Sequence, residues 1–210
     1  MAAKRIYKPR SELKALSILK LSALALGVIL FFSLLAYFYV NDFSPTARCV
    51  KTASQNAVMD IAARGGFDSA GNCINYGIYS VPLYKEGANE NIPSLEDIKT
   101  AIALKVMQQA PECGDDIEAR IAGDNVKVGK MLSHATVDVD MKGIYEKAIS
   151  LYQSQKSAAS ISLAELARMA KQGDYVLHIN ANNSTILYFM TFTKEQVNEN
   201  PVVYSFGIRK

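Results

Sequence analysis

Leu21 to Val40 is a run of twenty residues without a charge. At about 1.5 Å of rise per residue such a helix is roughly 30 Å long, the thickness of a bilayer's hydrocarbon core. The run is too long and too free of charge to suit a buried helix in a small globular core, so a transmembrane helix is expected there. It ends in Tyr37-Phe38-Tyr39, the amphipathic rings that suit a membrane interface.

Charge orients the span. Residues 1–40 hold six of the chain's 23 lysines and arginines and one of its 20 acidic residues, so this segment carries +5 and the remainder −2. Lys4, Arg5, Lys8, Arg10, Lys14 and Lys20 all precede the apolar run, which places the N-terminus in the cytoplasm and the C-terminus outside. A cleaved signal peptide would have a shorter apolar region ending in a small-x-small site. This run is longer and ends in bulky rings, and Arg48 stands where a lipoprotein would need a small residue before Cys49. The expected organisation is therefore a basic cytoplasmic tail (1–20), a retained membrane anchor from Leu21 to Val40, a joint (41–44) and an extracytoplasmic domain (45–210). The lipid bilayer is its first partner. The near-neutral outer domain argues against nucleic acid.

The outer domain reads as α+β, with amphipathic helices packed on an antiparallel sheet. Ser44-Pro45 suits an N-cap and first helical position, Val50, Ala53, Ala57 and Ile61 recur at helical spacing, and Gly65-Gly66 stops that helix. Tyr76 to Tyr84 is extended, with Pro82 favouring a sheet edge. Ser94 with Asp97 caps a second helix that Pro111 ends. From Ile117 the period changes to two, predicting a meander over 117–121, 126–132 and 135–141, in which Asp138 and Asp140 face outward. Helices follow at 144–155 and, from the Ser162/Glu165 capping box, to Gly173. Strands are expected at 175–180, 185–193 and 202–208, with Asn182-Asn183 as a turn.

Three cysteines, Cys49, Cys73 and Cys113, allow three single pairings, and composition does not choose among them. If the first two helices pack antiparallel, Cys49 at the start of one meets Cys113 after the end of the other, near the Cα spacing of about 5.5 Å that a disulfide needs. Cys73 is then free or paired with another chain.

Catalytic signatures are missing. There is no Gly-x-Ser-x-Gly elbow, P-loop or dinucleotide fingerprint, and no cofactor is implied. Two distant histidines, His134 and His178, offer neither a zinc ligand set nor a signature base for Cys73. The carboxylate pairs Asp115-Asp116 and Asp138-x-Asp140 read as solvated faces before they read as calcium ligands. Asn182 and Asn183 each begin a glycosylation sequon. Tyr76, Tyr79 and Tyr84 are either a contact surface or edge packing.

Cys49-Val50-Lys51, Gly65-Gly66-Phe67, Ser80-Val81-Pro82-Leu83-Tyr84, Pro93-Ser94-Leu95-Glu96, Cys113 and Tyr204-Ser205-Phe206-Gly207-Ile208 occur in that order after the apolar run. This series resembles an uncharacterised family of single-pass membrane proteins of small-celled (DPANN-type) archaea. The resemblance implies the same topology and a Cys49–Cys113 pair, and it assigns no catalytic residue. Cys73 is additional to the family's pattern, and its Ile-Pro-Tyr-Tyr element is degenerate here. The expected function is a non-enzymatic, membrane-anchored module that contacts another envelope or surface protein. The alternatives are a subunit of a pilus-like or secretion assembly and an extracytoplasmic hydrolase or transferase.

Overall fold

The computed structural model describes residues 24–37, 45–69, 71–113, 116–130, 133–158, 162–182 and 184–210. The basic tail, both ends of the expected span at Leu21 and Val40, the joint, Asp115 and Asn183 lie outside them. Residues 24–37 form a helix (α1) in which every residue is exposed. Among the described residues no helix is long and apolar enough to cross a membrane.

The rest is α+β and is organised around one helix. Helix α2 (Pro45–Ala63) buries Val50, Ala53, Ala57, Val58, Ile61 and Ala62. These residues are not confined to one stripe, and accordingly the helix is covered on more than one side. A three-stranded sheet, β4 (Glu118–Ala122), β5 (Asn125–Lys130) and β6 (Ser133–Val137), packs against it, as does strand β9 (Asn200–Arg209) of a larger sheet. Helix α3 (Leu95–Gln109) lies along it, and Lys105 of α3 bonds Asp60 of α2 at 2.8 Å. Asp60 also takes Arg64 at 2.9 Å, so one carboxylate joins the two helices and secures the last turn of α2.

Gly65-Gly66 stops α2 as the sequence predicts. The Gly66 N–H donates to Ile61 O and the Gly65 N–H to Ala62 O, the paired bonds of a Schellman motif, with Gly65 at φ +57°. A glycine is required there on a second ground. A Cβ at Gly65 would strike the Ser205 carbonyl oxygen and come within 2.9 Å of Pro82 Cγ. Ser94 and Asp97 form the expected capping box on α3. The Ser94 hydroxyl and backbone N–H both donate to Asp97, and these bonds hold its carboxyl below the ordinary aspartate range.

The larger sheet has the order β1 (Cys73–Tyr76), β2 (Tyr79–Glu86), β9, β8 (Thr185–Val197), β7 (Val176–Ala181), with the short β3 (Asn89–Glu90) also on β2. Three expectations are corrected here. The domain holds two sheets, and the larger is mixed, because β2 runs parallel to β9. Pro82 is on an interior strand. In the β1–β2 hairpin Ile74 pairs with Val81 and Tyr76 with Tyr79, so by alternation the Pro82 nitrogen points toward β9. Pairing with β9 begins only at Leu83, so no ladder bond is lost. The third strand of the meander stops at Val137. Asp140 is instead the N-cap of α4 (Met141–Gln155), accepting from the Gly143 N–H at 2.8 Å. Its carboxylate occupies the space a Cβ on Gly143 would need.

Strands β8 and β9 are longer than expected because they meet in a tight hairpin at Asn198-Glu199, both with positive φ. The usual Asn-Gly signal is absent, so periodicity alone ended the strands early.

The inner face of the large sheet carries an aromatic row. Phe206 stacks between Tyr84 of β2 and Tyr188 of β8, with ring centroids 4.9 and 5.0 Å away, and Tyr152 of α4 meets it edge-on. The Tyr84 hydroxyl, 2.8 Å from Gly65 O and 2.8 Å from the Tyr204 hydroxyl, links this row to the end of α2. Helix α5 (Leu163–Gly173) completes the fold against α4 and β7.

Tyr84 and Tyr188 are equally buried, but only Tyr84 has a hydrogen-bond partner for its hydroxyl among the described residues. Tyr84→Phe is expected to cost about 2 kcal/mol, because it strands Gly65 O and the Tyr204 hydroxyl, whereas Tyr188→Phe is expected to be neutral or slightly stabilising. Urea denaturation of the two variants side by side checks this contrast.

Burial raises the Tyr84 and Tyr204 hydroxyls well above the ordinary tyrosine range and pushes Tyr188 up to about 12. A raised pKa in the folded state contributes stability that is intact below the unfolded value of about 10 and is lost as pH climbs above it. Absorbance at 295 nm over an alkaline titration should therefore show some of the eleven tyrosines ionising only together with loss of the near-ultraviolet dichroism of the fold. A smooth titration of all eleven near pH 10 with the fold intact would contradict it.

Candidate interaction surface

Cys49 and Cys113 form a disulfide with Cα atoms 5.9 Å apart, closing a separation of 64 residues. In the chain-entropy model that closure contributes about 4 kcal/mol. Both residues border the main core, so the bond fixes the first turn of α2 beside the end of α3. Their sulfurs and the Glu112 carboxylate all lie within 4.8 Å of one another. Oxidised sulfurs carry no thiolate, so this corner is a brace and offers a metal only one carboxylate.

The outer face of the large sheet is the other distinctive feature. β1 and β7 are at opposite ends of the strand order, yet the Asn180 amide on β7 donates to the Tyr76 hydroxyl on β1 at 3.2 Å. The sheet is curled enough for its edges to meet across that face. Beneath the bridge, Phe189 has Tyr76 at 5.4 Å, Tyr79 at 5.5 Å and His178 at 5.9 Å between ring centroids. These rings, with Thr191 and Val203, line a concavity of about 190 Å³. Its floor is a second small core of Val81, Leu187 and Phe189. Tyr76 of this lining is exposed, as are Val176, two residues before His178 on β7, and Ile78 in the turn between Tyr76 and Tyr79, the latter at 93 %. The volume is comparable to apolar cavities of about 150 Å³ that hold a single benzene ring.

The sequence placed Tyr76, Tyr79 and Tyr84 together, and the structure separates them. Tyr76 and Tyr79 build the concavity, while Tyr84 points into the main core. Phe189, His178 and Val203 were not singled out as a surface. The signal was present in β8, where Leu187-Tyr188-Phe189-Met190 is apolar in both phases, the pattern of a strand covered on both faces.

Other candidates disperse. Cys73 is exposed on β1, three residues before Tyr76, so strand alternation puts its side chain on the opposite face from Tyr76 and His178. His134 lies on β6 in the other sheet. No cysteine–histidine pair is thereby assembled. Asp138 and Asp140 do not alternate on a strand, because Asp140 caps α4, so the paired-carboxylate geometry for calcium is lost. Asn182 is exposed, and its side-chain oxygen accepts from the Ser184 and Thr185 N–H groups. No family model, curated protein or solved structure matches this chain.

Proposed function

We propose that the chain is a membrane-anchored, non-enzymatic interaction module. Residues 21–40 cross the bilayer once with the N-terminus in the cytoplasm, and the outer domain presents its aromatic concavity to an apolar segment of another envelope or surface protein. One observation carries the reading. Residues 24–37 form a charge-free helix whose leucines, isoleucine and phenylalanines are exposed all round, for example Leu24 at 69 % and Phe32 at 63 %. Bare apolar surface of this extent in water is strongly unfavourable, and a hydrocarbon environment relieves it. The flanking residues of the uncharged run extend the same character to bilayer length. The six cations ahead of it and the disulfide behind it support the same orientation, since disulfides persist in an oxidising exterior. The concavity supports the interaction role: it is lined largely by aromatic rings, exposed Ile78 and Val176 are close to them in the chain, and its volume suits one inserted side chain.

The anchor is tested by alkaline carbonate extraction together with thiol labelling in a Cys73→Ser background. Lys142→Cys, on the exposed side of α4, is expected to react with an impermeant maleimide in intact cells, and Ser11→Cys only after permeabilisation. A protein released by carbonate, or the reverse labelling order, would sink the reading. For the concavity, a photo-crosslinking residue at Ile78 is expected to capture a reproducible neighbour in native membranes that the same residue at Lys171 does not. Identical crosslinking from both positions would remove the concavity from the proposal.

A further inference from the structure

The outer face of the three-stranded sheet carries a charged recess that the interaction reading does not use. Register decides its make-up. Glu118, Gly129 and His134 stand opposite one another in one row, and Arg120, Lys127 and Thr136 in the next. Positions two apart along a strand share a face, so both rows lie on the same side. The inner side is committed to the core through Val126, Val128, Ala135 and Val137. Gly129 has no side chain to fill the middle of the first row. A recess of about 170 Å³ opens there, lined by Glu118, Arg120, Lys127, Gly129, Lys130 and His134.

Arg120 and Lys127 share this face with one carboxylate, which is already engaged, while Lys130, of the opposite strand parity, only borders the recess at its rim. Glu118 Oε2 accepts from Arg120 Nη2 at 3.0 Å, which orients the guanidinium and leaves its other N–H donors available. Among the described residues, Lys127 and Lys130 form no ion pair. A planar donor fork, an ammonium group and an imidazole around a gap of a few water volumes match a tetrahedral oxyanion. We propose that this recess is an oxyanion site taking the phosphate group of a monoester or diester, with Arg120 as the oriented donor and Lys127 as the neutralising charge.

Its position suggests where that phosphate comes from. Cys113 is joined to Cys49, and Glu118 begins β4 five residues after Cys113. Five residues reach at most about 17 Å. Cys49 in turn follows Val40 by nine residues. On the membrane-anchored reading, these short chain separations from the bilayer make anionic headgroups the favoured source. That assignment of source rests on the anchor, while the oxyanion chemistry does not.

The test uses the full chain and reads acylation of individual lysine amines by mass spectrometry, with exposed Lys142 as internal reference. In non-ionic detergent, sodium phosphate is compared with sodium chloride at equal ionic strength. In nanodiscs, phosphatidylcholine alone is compared with an equal mixture with phosphatidylglycerol. Lys127 is expected to be protected, by about tenfold in half-saturating concentration relative to Arg120→Gln, whereas Lys171→Gln leaves protection unchanged. Protection by free phosphate in detergent identifies a soluble phosphate as sufficient. Protection only in the anionic nanodiscs identifies the headgroup. Equal change at Lys142, protection that survives Arg120→Gln, or no protection in either medium overturns the site. A chain that does not enter nanodiscs refutes the anchor alone, and the detergent comparison then decides the site by itself.

Discussion

Helix α2 is held at both ends, and the remaining architecture depends on it. Its first turn is bonded covalently to Cys113, and its last turn is received by Gly65, whose carbonyl takes the Tyr84 hydroxyl. Between these points its buried residues meet both the three-stranded sheet and β9. Without α2 the inner faces of both sheets would lose the cover of its buried residues. Burial of Val50, Val58 and Ile61 is therefore worth more than their side chains alone, because those residues join two separate apolar surfaces into one core.

This central placement leaves one outer face on each sheet free, and the two faces differ sharply. The larger sheet curls until Asn180 meets Tyr76, and the aromatic residues collect under that bridge. The smaller sheet carries alternate charged residues with a glycine gap between them. One surface suits an apolar side chain and the other an anion, and they belong to different strands. On the proposed reading, a module anchored in a membrane beside a neighbour would use both kinds of surface at once.

Much of the fold was legible in local chemistry. The Gly65-Gly66 stop, the Ser94/Asp97 box and the Ser162 cap each appear where the side chains and backbone freedom demand them. The errors share a cause. The alternation of Val137, Val139 and Met141 predicts a strand through Asp140, but those residues are buried whether the backbone is strand or the entry to a helix. At the Asn198-Glu199 hairpin both residues have positive φ but only Asn198 is of a type that favours it, so the usual Asn-Gly signal is incomplete. Pro82 was sent to an edge because a missing N–H matters only on the side where a ladder exists.

Sequence alone determined the features that depend on near neighbours: an uncharged run of bilayer length with cations on one side of it, the helix caps and stops, and the change of period at Ile117. It also limited the cysteine pairings to three. Tertiary structure decided that β2 and β9 run parallel, that the sheet closes on itself at Tyr76 and Asn180, and that Gly129 opens a gap among cations. The reason is the range of the interactions. A cap or a stop is satisfied by groups within a few residues, whereas an alternating strand accepts either direction and many partners with equal local comfort, and only the packing around α2 selects among them.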